Sequence, residues 1–149
     1  MDGFHIGDAE LRRTGLRDRK GAPETFDRDG FAATVARLRA GESAVYVPVF
    51  DRRAEDSIAA AQAVPKEIPL VIIEGNYLLT WPEIRKLIPT IWFLGPPTPQ
   101  RVERLVARHV AHGMTPTEAW AWVERSDERN AALIGAGRSQ ADLVVDNWL

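Results

Sequence analysis

The sequence has no cysteine. That excludes disulfides, thiolate zinc sites and cysteine nucleophiles, and it fits a reducing compartment. No apolar run approaches the ~20 residues that a membrane helix needs. The opening segment Met1-Asp2-Gly3-Phe4-His5 lacks the basic stretch and apolar core of a signal peptide. A large charge excess is missing too, since 19 basic and 21 acidic side chains leave a formal charge of -2. Nothing in that balance advertises nucleic acid or an anionic membrane, although a local anion site can hide within it. Repeats and low-complexity tracts are also absent. These absences lead to the expectation of a cytoplasmic protein with neither nucleic acid nor membrane as partner.

What is present is the composition of a globular domain: 149 residues, 45% hydrophobic and 27% charged. Three apolar runs, Ala44–Val49, Pro69–Ile73 and Thr90–Leu94, are rich in Val and Ile and do not alternate with polar residues. A fourth lies at Leu143–Val145. Strands buried on both faces of a parallel sheet read this way. Between them lie helix signals. Asp27 is placed to cap a helix from about Gly30 to Arg39 that Gly41 stops, with Phe31, Val35 and Leu38 on one apolar face. Thr80 with Pro82 starts a short helix through Leu87. Thr98-Pro99 and Thr115-Pro116 each read as a cap followed by proline in the first turn. The first of these helices ends at Gly113, and the second runs from about Thr117 to Ile134. Strands alternating with helices predict an α/β fold.

Four groups of residues can carry chemistry. In Leu70-Val71-Ile72-Ile73-Glu74-Gly75-Asn76-Tyr77, a buried strand would deliver the Glu74 carboxylate at its C-terminal end. Open parallel sheets bind ligands at that edge, and a carboxylate there suits a magnesium ion or its waters. The plainer reading is a strand-end Glu that caps a helix. Asp2 beside Gly3, taken alone, reads as a frayed terminus. The loop Arg19 to Asp27 mixes two cations, a Gly-Ala-Pro turn and two carboxylates around Phe26, as a small polar substrate requires. It also reads as a solvated loop before a capped helix. Arg101, Arg104 and Arg108 fall on one helix face beside His109, and guanidinium forks suit phosphate oxygens. Taken alone, they read more plainly as a solvated helix face, helped by Glu103. His109 and His112 have metal-like spacing but no third ligand in reach by sequence. Trp120 and Trp122 are expected to pack the core, and because they cannot share a helix face one of them is expected to be partly exposed.

Together these pieces resemble the P-loop kinases of small metabolites, the group of uridine kinase, type I pantothenate kinase and phosphoribulokinase. The branch they resemble most is that of bacterial nucleoside or nucleotide kinase family proteins, some linked to fructose transport. The resemblance is carried by MDGFH at Met1, RKGAPETFD at Arg19, PVFDR at Pro48 with VIIEGNYLL at Val71, and RLVARHVAHG at Arg104. It implies a P-loop NTPase-like three-layer parallel sheet in a single kinase domain over residues 1–149. It also implies transfer of the γ-phosphate of ATP, with magnesium, to a hydroxyl of a small metabolite such as a nucleoside, a sugar or a pantothenate-like acceptor.

The resemblance makes Asp2 the catalytic base and Glu74 the acidic residue that orients magnesium-bound water. It makes Arg104 and Arg108 lid arginines, with His109 beside them, and gives Arg108 a catalytic role. Glu24 falls where relatives hold a substrate hydroxyl, and Arg19 and Lys20 match a basic pair of pantothenate kinases. His5, Arg52 and Tyr77 complete the expected substrate site. Phe50 stands where uridine kinases often have Tyr, which removes one polar contact to a base. A homodimer is compatible with the resemblance.

One part of the family pattern is missing. The phosphate loop G-x-x-x-x-G-K-[ST], which relatives carry ahead of the DGFH segment, does not occur. Without it there is no nest of N–H groups and no Lys for the β- and γ-oxygens. The resemblance also implies that the first, central strand would precede Met1. Each unmade buried backbone hydrogen bond costs ~1–3 kcal/mol, and net domain stability is only ~5–15 kcal/mol. The expectation is therefore an N-terminally incomplete kinase domain, with Met1 an internal methionine or the chain a fragment, inactive and unstable or rearranged alone. Two alternatives stand beside it. One is a non-catalytic metabolite-binding or regulatory domain. The other is an interaction protein completed by a strand from another chain.

Overall fold

A computed structural model describes residues 1–146. They fall into two compact units, residues 1–89 and a second that begins at Thr90.

In the first unit, α1 (Asp8–Arg13) leads through two single turns into α2 (Arg28–Ala40). The Asp27 carboxylate accepts from the Gly30 N–H at 2.9 Å and caps α2 as the sequence predicts. Gly41 closes it in the left-handed conformation, at φ 67°. The face of α2 carrying Phe31 and Val35 is buried. β1 (Ala44–Asp51) and β2 (Asp56–Pro65) form an antiparallel hairpin, with Val45 opposite Val64 and Phe50 opposite Ser57. Its register shifts between Val47 and Val49. Pro48 sits in that irregularity, where a residue without an N–H is tolerated. α3 (Pro82–Leu87) follows the buried run Tyr77, Leu78 and Leu79. Leu11, Val45 and Ile84 are fully buried, each worth roughly 1.5–3 kcal/mol of transfer free energy. Around them Phe26, Phe31, Tyr77 and Trp81 meet edge to face or tilted.

In the second unit, β3 (Trp92–Gly95) pairs in parallel with β4 (Leu143–Asp146), Trp92 opposite Leu143 and Gly95 opposite Asp146. The crossover that parallel pairing requires consists of α4 (Thr98–Ala111), α5 (Pro116–Trp122) and α6 (Glu128–Ala136). Thr115 caps α5 in a reciprocal box with Glu118. Between α5 and α6 the helix widens into one π turn, Val123–Asp127.

Several expectations need correction. The single covered parallel sheet is not what the described residues form; they make two two-stranded sheets, one of them antiparallel. The predicted strand at Pro69–Ile73 is irregular backbone. A strand requires a neighbour to accept its ladder, and no described residue pairs with 69–73. Leu70 and Ile72 are 71% and 86% exposed. The predicted helix from Thr117 to Ile134 is interrupted by the π turn. Thr98 is not a cap, because α4 begins at Thr98 itself, with Pro97 ahead of it and no side-chain cap bond. α1 and β2 had no counterpart among the predicted elements.

Candidate functional site

The N-terminal segment is held, not frayed. Residues Asp2–Phe4 make one 3-10 turn. Beyond it His5 bridges to Phe26, the Ile6 N–H donates to the Thr25 carbonyl, and the Asp27 N–H donates to the Phe4 carbonyl. Gly3 lies against β1 so closely that a Cβ there would collide with the Pro48 carbonyl. Only glycine permits that approach. It places Asp2 beside the end of β1.

There the Asp2 carboxylate accepts from Arg52 at 2.5 Å through Oδ2. Oδ1 has no partner among the described residues. His5 Nδ1 lies 2.8 Å from the Asp2 carbonyl. The His5 ring packs 4.0 Å from Phe26 and 5.2 Å from Phe50, centroid to centroid. Burial pushes the His5 pKa below 6.5, outweighing the Asp2 carbonyl and charge, with Lys20 and Arg52 lowering it further. Phe50 carries two cations on its ring, Lys20 at 5.1 Å and Arg52 at 4.9 Å.

Lys20 itself is strapped down. Its ammonium reaches Asp8 Oδ1 at 2.5 Å and the Glu55 carbonyl at 2.5 Å. Asp8 also takes Arg17 at 2.7 Å and Arg12 at 3.1 Å. Lys20 first and then Arg17 hold the Asp8 carboxyl below its ordinary value, against the opposing effect of burial. Arg19 and Glu24, both expected at the substrate, pair with each other at 2.6 Å. The Tyr77 hydroxyl donates to the Gly21 carbonyl at 2.6 Å and so pins the Gly-Ala-Pro turn. An open cleft of about 570 Å³ lies beside Glu24, floored by Ile6, Phe26 and Trp81.

Glu74 stands at no strand end. Its side chain is 84% exposed, and its carbonyl accepts from the Met1 ammonium at 2.5 Å. The segments of Asp2 and Glu74 are therefore neighbours, as two carboxylates serving one reaction would be. Among the described residues no group of three Asp, Glu, His or Cys side chains gathers as a metal would need. A triphosphate with magnesium needs a nest of N–H groups, a Lys and oxygen ligands. The residues of this chain do not by themselves fit that group.

In the second unit, α4 carries Arg101, Arg104 and Arg108. Arg101 forms a fork with Glu128, at 2.7 and 3.1 Å, and is thereby committed to α6. Arg108 is exposed and makes no side-chain bond among the described residues. His109 Nε2 lies 2.8 Å from Asp127 Oδ2 in the π turn. His112 Nδ1 is 2.6 Å from the Arg108 carbonyl. The two histidines thus have separate partners. Trp120 is exposed, and Trp122 is half-buried beneath Arg125.

Sequence reasoning missed Asp8, which knits three cations, because an Asp near the start of a short amphipathic stretch carries no motif. Its spacing to Arg12 was the available signal.

Comparison with known proteins gives a consistent picture. No family model matches the chain. It is 35% identical over 150 residues to the uncharacterized protein YggC of Escherichia coli (strain K12), covering 98% of this chain and 62% of that protein. It is 33% identical over 165 residues to the ATP-dependent kinase-like protein notR' of Aspergillus versicolor, covering 99% of this chain and 95% of that one. A pantothenate kinase of Shewanella loihica matches at 36% identity over 78 residues, 52% of this chain and 25% of the enzyme. Among solved structures, a proposed fructose transport system kinase from Silicibacter sp. TM1040 superposes with a TM-score of 0.87 at 39% identity, covering 97% of this chain and 72% of that one. YFH7 of Saccharomyces cerevisiae, a proposed P-loop containing kinase with a circular permutation, shares the fold with a TM-score of 0.85 at 22% identity, over 99% of this chain and 56% of that one. The chain thus spans less than two thirds of the length of several proteins it matches. No helix among the described residues is long and apolar enough to cross a membrane. On its identity to kinase-like relatives over nearly all of its length, the chain belongs to a family of kinase-like proteins.

Proposed function

We propose that the chain carries the acceptor side of a small-metabolite kinase, with Asp2 as the base. The observation that carries this reading is the state of the Asp2 carboxylate. Arg52 fixes Oδ2 at 2.5 Å, which leaves Oδ1 for a hydroxyl proton. In this reading Asp2 accepts that proton as the hydroxyl oxygen attacks phosphorus. General-base help of this kind is worth about 10²–10⁴-fold. Phosphoryl transfer otherwise depends on positioning and charge neutralisation. Within the second unit, taken by itself, the exposed guanidinium of Arg108 is the group we assign to phosphate oxygens. The name of the ATP-dependent kinase-like relative supports ATP as the donor. The 149 residues hold no G-x-x-x-x-G-K-[ST] cradle for it.

The acceptor class is a hydroxylated small molecule, such as a nucleoside, a sugar or a pantothenate-like compound. A single assay tests the proposal. Phosphoryl transfer from ATP to a panel of such acceptors is followed for the 149-residue chain and for the chain joined to whatever is encoded in frame ahead of it. Transfer is expected only from a form that also carries a phosphate loop, and weak or no ATP binding by the 149-residue chain in calorimetry. Acceptor binding without transfer in either form would instead favour a non-catalytic metabolite-binding domain, the reading suggested by the absence of a G-x-x-x-x-G-K-[ST] loop.

A further inference from the structure

Lys20 has little left to offer a ligand. An ammonium has three donors. Here one meets Asp8 and one the Glu55 carbonyl, while the Phe50 ring lies beside the ammonium. The side chains of Lys20 and Asp8 are both nearly buried, at 12% and 13% exposure. Glu55 adopts φ 53°, in the left-handed region, which L residues other than Asn and Asp rarely visit. Such a conformation persists where its surroundings hold it, and the Lys20 bond to its carbonyl is a hold of that kind. The same β1–β2 turn contains Arg52, which reaches Asp2. Lys20 and Arg52 share one aromatic ring, and their like charges repel unless one is neutralised nearby. Asp8 supplies that neutralisation.

We propose that Asp8 and Lys20 form a clasp that holds the β1–β2 turn so that Arg52 is brought onto Asp2. Both are then positioning residues, and Lys20 is not a substrate ligand as the family resemblance implies. The inference rests on the reading of Asp2 as the base. The low pKa of Asp8 agrees with it, because the carboxylate stays charged wherever the site works.

Hydrogen exchange at the amides of residues 52–57 tests the clasp in five chains: the unaltered one, Asp8→Asn, Lys20→Met, the double variant and Arg17→Gln. Asp8→Asn and Lys20→Met should each speed exchange of the turn roughly 5–30-fold. The double variant should exchange no faster than the faster single one, because both break one interaction. Arg17→Gln removes an Asp8 partner outside the turn and should leave the turn unchanged. Amides of α2 should hold their rates in every chain. If Lys20→Met loses protection there, Lys20→Gln, which keeps a donor but not the charge, takes its place. In the form that turns over, Lys20→Met should lower kcat with the acceptor KM unchanged, the mark of a group acting through the base.

Unmoved turn amides, or additive effects in the double variant, would overturn the clasp. A raised acceptor KM at unchanged kcat would make Lys20 a substrate ligand. Faster exchange with kcat and KM both intact would reduce the clasp to a structural tie and overturn its positioning role. If the unaltered protein phosphorylates no acceptor, the reading of Asp2 fails, while the exchange rates still decide whether the clasp exists.

Discussion

Two apolar, β-branched runs in the first unit have opposite fates. Ala44–Asp51 is a strand whose Val45 is 1% exposed, and it is paired along its length with β2. Pro69–Ile73 is also apolar and rich in β-branched residues, yet it forms no strand and turns Leu70, Val71 and Ile72 outward. The difference lies in the partner. β1 finds β2 across a short turn and α2 behind it, whereas nothing among the described residues pairs with 69–73. Strand propensity describes fit to a pleated, half-buried surface, and that surface must exist. An exposed run of this kind is also a template for association.

The contrast can be broken or sharpened by substitution. Val45→Asp buries an unpaired carboxylate and should cost about 3–5 kcal/mol in urea unfolding, a large share of any domain's stability. Gly3→Ala forces a methyl group against Pro48 and should cost roughly 1–3 kcal/mol while moving Asp2 off the end of β1. Loss of the Asp2–Arg52 contact in its NMR spectrum would show that shift. Asp27→Ala removes the cap of the helix backing β1 and should cost about 1 kcal/mol by the same unfolding measurement. Ile72→Asp, the counterpart of the first change, should stay within about 0.5 kcal/mol and raise solubility. A loss as large as that of Val45→Asp would mean that the run is buried after all.

Acid should loosen the first unit in two steps. His5 has a folded pKa below its ordinary value, so the unfolded chain binds the proton first as pH falls. The stability from neutral His5 is full above about pH 6.5 and is lost as pH falls through the lowered value. Asp8 is likewise depressed, so its contribution is full above the ordinary carboxylate range and is lost as pH falls through its own lower value. Unfolding followed against pH should show both losses, and Asp8→Asn should abolish the second.

Much of the local structure was legible in the sequence. Caps at Asp27 and Thr115, the glycine stop at Gly41 and the periodicity of Phe31 and Val35 depend on neighbours a few residues away, and they appear where predicted. What failed depended on distant partners. Sheet membership of 69–73 needed a neighbouring strand, and an antiparallel β2 rich in Ala carries little strand signal. The candidate site divides in the same way. The motif residues Asp2, His5 and Arg52 do meet around Phe50, but Arg19 and Glu24 are paired to each other, and Asp8 emerged only once α1 and the Lys20 turn came together. Glu74 was expected at the end of a strand that does not form.

The most direct test of the account is Asp2→Asn, measured as single-turnover phosphoryl transfer in the form that turns over. Transfer should slow by about 10²–10⁴-fold with ATP affinity largely unchanged. Transfer at the unaltered rate would contradict the assignment of Asp2 as the base.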